Sequence, residues 1–221
     1  MESKALKKMV LKIAWWLVAA VVFGGCAASG IYSKVPPAYD LSADSNQKVL
    51  IWVEAPRSAA ADPDAADKLA EAIRGHLILR AKLNPDNVIL ADSTQTGSGT
   101  LLATPEMSAL QEGAAVVLFV RIEEYELLPM SLANYHSGRM LTRAVLLDAK
   151  TSRPLWPAGT QGKVHDIVIE LGQGDRMAIL SRLTTGSAHC ILRNLYPIMK
   201  MHYKHSDERV SFQEAFEQDT F

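Results

Sequence analysis

Val49-Leu50-Ile51-Trp52-Val53 is an unbroken apolar run, and Val88-Ile89-Leu90-Ala91 and Ala115-Val116-Val117-Leu118-Phe119-Val120 are two more. Short apolar runs without polar alternation suit strands buried on both faces of a sheet, as parallel strands covered by helices are. Between the first two, Leu69, Ile73, His76, Leu77 and Arg80 recur near a 3.6-residue period, which predicts a helix from Asp64. Asn84-Pro85-Asp86-Asn87 supplies the turn before the second run. Between the second and third, Thr104-Pro105-Glu106 reads as a helix start, with Thr104 as N-cap and Gly113 as the stop. The result is a β-α-β-α-β opening with right-handed crossovers.

Downstream the pattern changes. Arg121 to Leu128 is acidic and mixed, and is expected to project past the core. Arg139–Asp148 reads as a strand, Ala149-Lys150-Thr151-Ser152 as a turn leading to Pro154-Leu155-Trp156, and Val164–Glu170 as a further strand. Asp175 then caps the longest helix, Arg176 to about Tyr196, with Leu180, Leu183, Ser187, Ile191 and Leu195 along one side and Pro197 at its end. The fold class is therefore α/β (α+β), a mixed sheet with antiparallel strands after the opening and a long C-terminal helix. A single domain over 48–200 is followed by a polar, acidic tail at 201–221, and no segment repeats.

The N-terminus carries an address. Lys4, Lys7, Lys8 and Lys12 precede an apolar run from Ile13 to Phe23, and Gly24-Gly25-Cys26 follows. Such a run is short for a membrane span, which takes roughly 17–25 residues, and suits a signal-peptide core behind a basic head. Phe23-Gly24-Gly25-Cys26 resembles the lipobox of bacterial lipoproteins, although Phe23 stands where that family prefers an aliphatic residue. The resemblance implies a signal peptide over 1–25 and a mature chain starting at Cys26, bearing thioether-linked diacylglycerol and an amide-linked acyl chain such as palmitate. Two alternatives remain: an uncleaved anchor helix running through Ala28, and ordinary secretory cleavage within Cys26–Ser29. Residues 26–47, rich in Ser, Pro, Ala and Asp, are expected to be the lipidated cysteine and a flexible tether extended at Pro36-Pro37. Ala27 is not the Asp that resembles an inner-membrane retention signal, so the expected address is the outer membrane, facing the periplasm.

Composition narrows the partners. Without Met1–Gly25, which carry four lysines and one glutamate, 19 basic residues face 23 acidic ones, a net charge of −4. That balance argues against a nucleic-acid partner, which calls for a concentrated basic face. There are two cysteines, and lipidation of Cys26 would leave Cys190 alone, so the domain must rest on its core rather than on a disulfide.

The order of elements over 48–200 resembles the periplasmic lipoproteins of the curli-secretion and penicillin-binding-protein-activator type. The local match is Asp148-Ala149-Lys150-Thr151-Ser152-Arg153-Pro154-Leu155-Trp156, similar to a hairpin of the form Asp-x-x-Thr-Gly-x-x-x-Trp with Ser152 in the glycine position. The curli-type resemblance would imply a subunit of an oligomeric secretion or transport assembly. A membrane pore is disfavoured, because Arg121–Asp148 carries Glu123, Glu124, Glu126 and Arg139 and is interrupted by Pro129.

Chemistry is sparse. Thr96-Gly97-Ser98-Gly99-Thr100 has neither the spacing of a nucleophile elbow nor the lysine of a phosphate loop, and reads as a flexible loop. His202 and His205 lack a third ligand at metal spacing. His189 and Cys190, neighbours on a helix, point about 100° apart and do not form a thiol–imidazole pair; Cys190 is expected to be a buried, inert thiol. Alternation puts Glu124 and Glu126 on one strand face and Glu123 on the other, as the solvated end of a strand rather than paired catalytic carboxylates. The sequence thus predicts a non-enzymatic, lipid-anchored envelope protein without cofactor or metal, with a binding or accessory role towards an envelope protein or the cell-wall machinery. An envelope hydrolase resting on Ser98 and these carboxylates is the weaker alternative, and homo-oligomerisation stays open. Met130, Leu132 and Tyr135, on the Leu128–Gly138 connection, are the candidate partner surface; the competing expectation is that they fold back onto the domain.

Overall fold

The structure is a computed structural model and describes residues 31–44, 46–55, 64–91, 104–159 and 161–202. The expected signal peptide over 1–25, Cys26, the Thr96–Thr100 loop and most of the expected acidic tail lie outside the described residues. The chain divides into two compact units, one of Met1–Ser33 with Met199–Arg209 and the other of Lys34–Ile198 with Val210–Phe221. In the first, β1 (Ile31–Val35) and β8 (Ile198–His202) form a two-stranded ladder. The expected tail therefore begins as a strand.

The second unit is built on a six-stranded mixed sheet. Strand β2 (Val49–Glu54) lies between β3 (Val88–Leu90) and the first half of β4 (Val116–Pro129), parallel to both. The β-α-β-α-β opening is completed by α1 (Asp64–Leu79) and the short α2 (Pro105–Gln111). Thr104 caps α2, its hydroxyl accepting from the Met107 amide at 3.3 Å. Strand β5 (Tyr135–Asp148) returns antiparallel along the whole of β4, and its far side pairs with β6 (Pro154–Trp156) and β7 (Lys163–Gln173). The last helix, α3 (Arg176–Leu192), is capped by the Asp175 carboxylate accepting from Ala178 N at 2.7 Å.

Two faces of the sheet are treated differently. Helices α1 and α3 cover the inner face, where Leu69, Ile73 and Leu77 meet Ile51, Leu118, Val120, Ile122, Met140, Leu146, Ile179, Leu180 and Leu183 in one buried cluster. On the outer face α2 covers only a corner, where Ala109 packs with Leu50, Trp52 and Val117. The α3 seat depends on two glycines. A Cβ on Gly138 would stand 2.7 Å from Leu183 Cδ1, and one on Gly172 would stand 2.5 Å from Ile179 Cδ1. Both are below van der Waals contact, so a side chain at either position would force Leu183 or Ile179 to shift from its present packing.

Several expectations need correction. Residues 121–128 do not leave the core: they stay paired with β5, Ile122 is buried, and Tyr125 and Leu127 pack against the inner cluster under α3. The long helix ends at Leu192 rather than near Tyr196, although Leu195 and Tyr196 remain buried in the turn that follows. The tether does not run free to residue 47. Ala38 N and Tyr39 N donate to Asn194 O at 2.9 and 3.3 Å, Leu41 N donates to Leu195 O at 2.9 Å, and Leu41 is fully buried. This segment closes the core at the C-terminal end of α3.

The Asp148 turn is also explained. Its carboxylate accepts from Lys150 N, Thr151 N and Thr151 Oγ1 at 3.1, 2.8 and 2.8 Å, and Ser152 takes φ +54° where the hairpin pattern has glycine. A side chain in this left-handed region carries a steric cost.

Leu41→Ala is expected to lower unfolding stability by roughly 2–4 kcal/mol, the usual cost of truncating a buried leucine. Denaturant unfolding of the full chain measures it, and a change within about 0.5 kcal/mol would return Leu41 to the tether.

Candidate functional site

The outer face of the β4–β5–β7 region is a field of charges with apolar residues between them. Arg121 bridges Glu54 at 3.1 Å and lies 5.6 Å over the Phe119 ring. Arg143 grips Glu123 through two guanidinium nitrogens and donates to Gln161 O at 2.9 Å. Arg139 is shared between Glu124 at 2.9 Å and Asp166 at 2.8 Å. Hydrogen bonding to Arg139 holds the Asp166 carboxyl below the usual carboxylate range, and the same bond raises Arg139.

These contacts account for Glu123 and Glu124. The pairing of β4 with β5 slips between Ile122 and Glu124, leaving Glu123 as the extra residue of a β-bulge. Glu123 and Glu124 consequently reach Arg143 and Arg139, which lie on the same face of β5, so the expected alternation fails at Glu123. Both carboxylates are held by guanidinium groups, an arrangement that organises a surface and leaves them poor candidates for proton transfer. A cleft of about 450 Å³ opens beside α2, lined by Glu54, Glu106, Phe119, Arg121, Leu147 and Ser152. A second groove, of about 530 Å³, runs between α1 and α3 past Asp67, Glu71, Ser181 and Thr185.

The predicted partner residues lie at the far tip of the β4–β5 hairpin. Leu132 is 57% exposed and Met130 40%, so both stand in solvent, whereas Tyr135 is half-buried at the start of β5. Periodicity could not have found that Leu171 and Met177 join them. Gly174 N donates to Asn134 O at 2.9 Å and His136 Nδ1 lies 3.1 Å from Gly174 O, which ties the β7–α3 turn to the hairpin tip. Leu128, Met130, Leu132, Leu171 and Met177 are all exposed at this end of the unit.

The histidines and the cysteine fall elsewhere. His189, buried in α3, stands edge-on to His76 of α1 at 6.0 Å and does not face Cys190. Burial pushes the half-buried Cys190 thiol up, keeping it protonated. His202 ends β8, and His205 lies outside the described residues. Among the described residues no cluster of three or more His, Cys, Asp or Glu is placed to hold a metal, and no helix is long and apolar enough to cross a membrane. His165, which sequence reasoning passed over, is buried on the inner face, stacked on Trp156 at 6.3 Å, with Lys163 Nζ 5.9 Å from the same ring.

No family model matches this chain, and neither does any curated protein. Solved structures similar to it include the PelC dodecamer from Paraburkholderia phytofirmans, 13% identical with a TM-score of 0.42, covering 74% of this chain and 94% of that one. Lipoprotein GNA1162 from Neisseria meningitidis is 16% identical with a TM-score of 0.38, covering 66% and 97%. The rare lipoprotein B from Shewanella oneidensis is 13% identical with a TM-score of 0.30, covering 65% and 91%. Two of the three are lipoproteins by name, but at these scores the likeness carries no inference about what this chain does.

Burial lowers the His165 pKa to about 4, with Lys163 and Arg193 adding to the effect. The folded state therefore holds the imidazole neutral, while the unfolded chain protonates it near 6.5. Stability from this residue is full above about pH 6.5 and is lost as pH falls towards 4, by about 3 kcal/mol. His165→Phe, which keeps the stack on Trp156, is expected to flatten that part of the stability–pH curve. An unchanged slope between pH 6.5 and 4 would place the titration elsewhere.

Proposed function

We propose that this chain is a lipid-anchored protein of a bacterial envelope that works by binding a protein partner rather than by catalysis. Its address rests on the basic head, the short apolar core and Gly24-Gly25-Cys26, with the outer membrane favoured by Ala27. The binding role rests on one structural observation. The chain enters the larger unit at Ala38–Leu41, against the C-terminal end of α3, while the exposed apolar cluster surrounds the N-terminal end of the same helix. Seventeen helical residues separate the two ends by about 25 Å. An apolar cluster rimmed by charge marks a contact surface, and here it lies at the opposite end of α3 from Ala38–Leu41. Of the strand carboxylates weighed for a hydrolase, Glu123 and Glu124 are engaged by Arg143 and Arg139, which supports the non-enzymatic reading.

Two experiments test this. Cys26→Ser is expected to abolish incorporation of an alkyne fatty acid and to leave an uncleaved precursor; a wild-type chain that takes up no label contradicts the anchor. A photo-crosslinking residue at Met130 or Leu132 of the full chain is expected to give one discrete adduct in intact envelopes, lost when Leu128→Asp and Met177→Asp are added at unchanged melting temperature. Crosslinks to lipid alone, or an adduct indifferent to those changes, would remove the hairpin end as a partner surface.

A further inference from the structure

The two edges of the sheet are unequal. On one side β3 is only three residues long, and beyond β2 the free side of β4 from Ile122 to Pro129 carries a bulge at Glu123, the charges of Glu124 and Glu126 and a terminal proline, all devices that blunt an edge. On the other, β7 pairs only with β5, and its second side meets no backbone partner among the described residues. Strand β7 is regular from Lys163 to Ile169, before the pairing slips opposite His136–Gly138, so about 23 Å of open edge is available at roughly 3.3 Å per residue. Most of the devices that normally guard such an edge are missing over this stretch, and the charge of Asp166 is taken up by Arg139. The stretch holds no proline, and its one lysine, Lys163, is turned away, donating to Asn194 Oδ1 at 3.0 Å and lying over Trp156. Val164 and Val168, 43% and 53% exposed, point to the uncovered outer face.

Charge decides what fits. On the outer face Glu54, Glu123, Glu124, Glu126, Asp166 and Glu170 face three guanidiniums, Arg121, Arg139 and Arg143, so three negative charges are in excess. Glu126 and Glu170 are exposed and belong to none of these ion pairs. A second copy would bring the same acidic edge, and the chain's own segment 203–221 carries five acidic residues against Lys204 and Arg209, so both occupants are repelled. We infer that the Lys163–Ile169 edge of β7 receives an extended segment of another protein, alternately basic and apolar, as an added strand of the sheet. Backbone hydrogen bonds would supply register; basic side chains would meet Asp166, Glu170 and Glu126; apolar ones would lie on Val164 and Val168. This site is separate from the hairpin tip and does not depend on the lipid anchor.

The test uses the full chain in detergent and a fluorescent decapeptide alternating lysine and valine, read by anisotropy at low and physiological salt. Two further peptides carry N-methyl groups on the odd or on the even residues. An added strand uses one edge of the peptide, so one methylated series is expected to lose about tenfold or more in affinity while the other binds like the parent. Glu170→Lys with Val168→Lys is expected to weaken the parent peptide about tenfold, whereas Glu71→Lys on α1 leaves it unchanged. Equal binding by both methylated series would overturn the proposal as charge attraction alone. It is overturned equally by no binding at all, by binding indifferent to the β7 changes, or by dimerisation of the chain through this edge.

Discussion

The close seat of α3 on β5 and β7 is the contact on which the rest of the larger unit depends. Gly138 and Gly172 clear the space into which Leu183 and Ile179 pack, so the helix lies against a hairpin that would otherwise extend unsupported. That contact keeps Ile122, Tyr125 and Leu127 in the core and fixes the end of β4 far from the parallel strands. It also sets the two termini of α3 as the poles of the unit, with the incoming chain on Asn194 and Leu195 and the hairpin tip on Gly174. A larger side chain at either glycine would have to lift the helix or displace its packing atoms, at a typical overpacking cost of about 1–3 kcal/mol.

Covering one face of a sheet with two helices leaves the other face to solvent, and the outer face shows how that is managed. Three arginines stitch β2, β4, β5 and β7 through carboxylates, which keeps a partly apolar surface hydrated. The stitching is incomplete towards β7, where carboxylates outnumber cations and valines stand between them. Exposed apolar residues therefore gather at the hairpin tip and along β7, where neither helix layer nor ion pairing has closed the fold.

The sequence revealed what repeats or punctuates. Three apolar runs marked the parallel strands, Leu69, Ile73 and Leu77 marked α1, and Thr104-Pro105 and Asp175 marked helix starts, because burial and capping leave local signatures. It concealed what depends on distant backbone. The hydrogen bonds of Ala38, Tyr39 and Leu41 to Asn194 and Leu195 need no particular side chains, so a Pro- and Ser-rich stretch read as tether. The bulge at Glu123 has no glycine to announce it, and strict alternation consequently misassigned that residue. The glycines under α3 were unreadable for a related reason: a close approach involves two segments, and each looks ordinary alone. Of the candidate surface, Met130 and Leu132 were legible as apolar residues on a polar connection, whereas Leu171 and Met177 join them only through the Gly174–Asn134 bond.

Native-state hydrogen exchange on the full chain tests this account most directly. With α3 holding the hairpin and β7 open along one side, the amides of Ile122–Leu127 that face β5, and those of Arg139–Leu147, should exchange slowly. Every second amide from Lys163 to Ile169 should exchange quickly, and its neighbours slowly. Rapid exchange of the Ile122–Leu127 amides that face β5 would show that the hairpin is not held by the helix, and uniform protection along β7 would show that its edge is already covered.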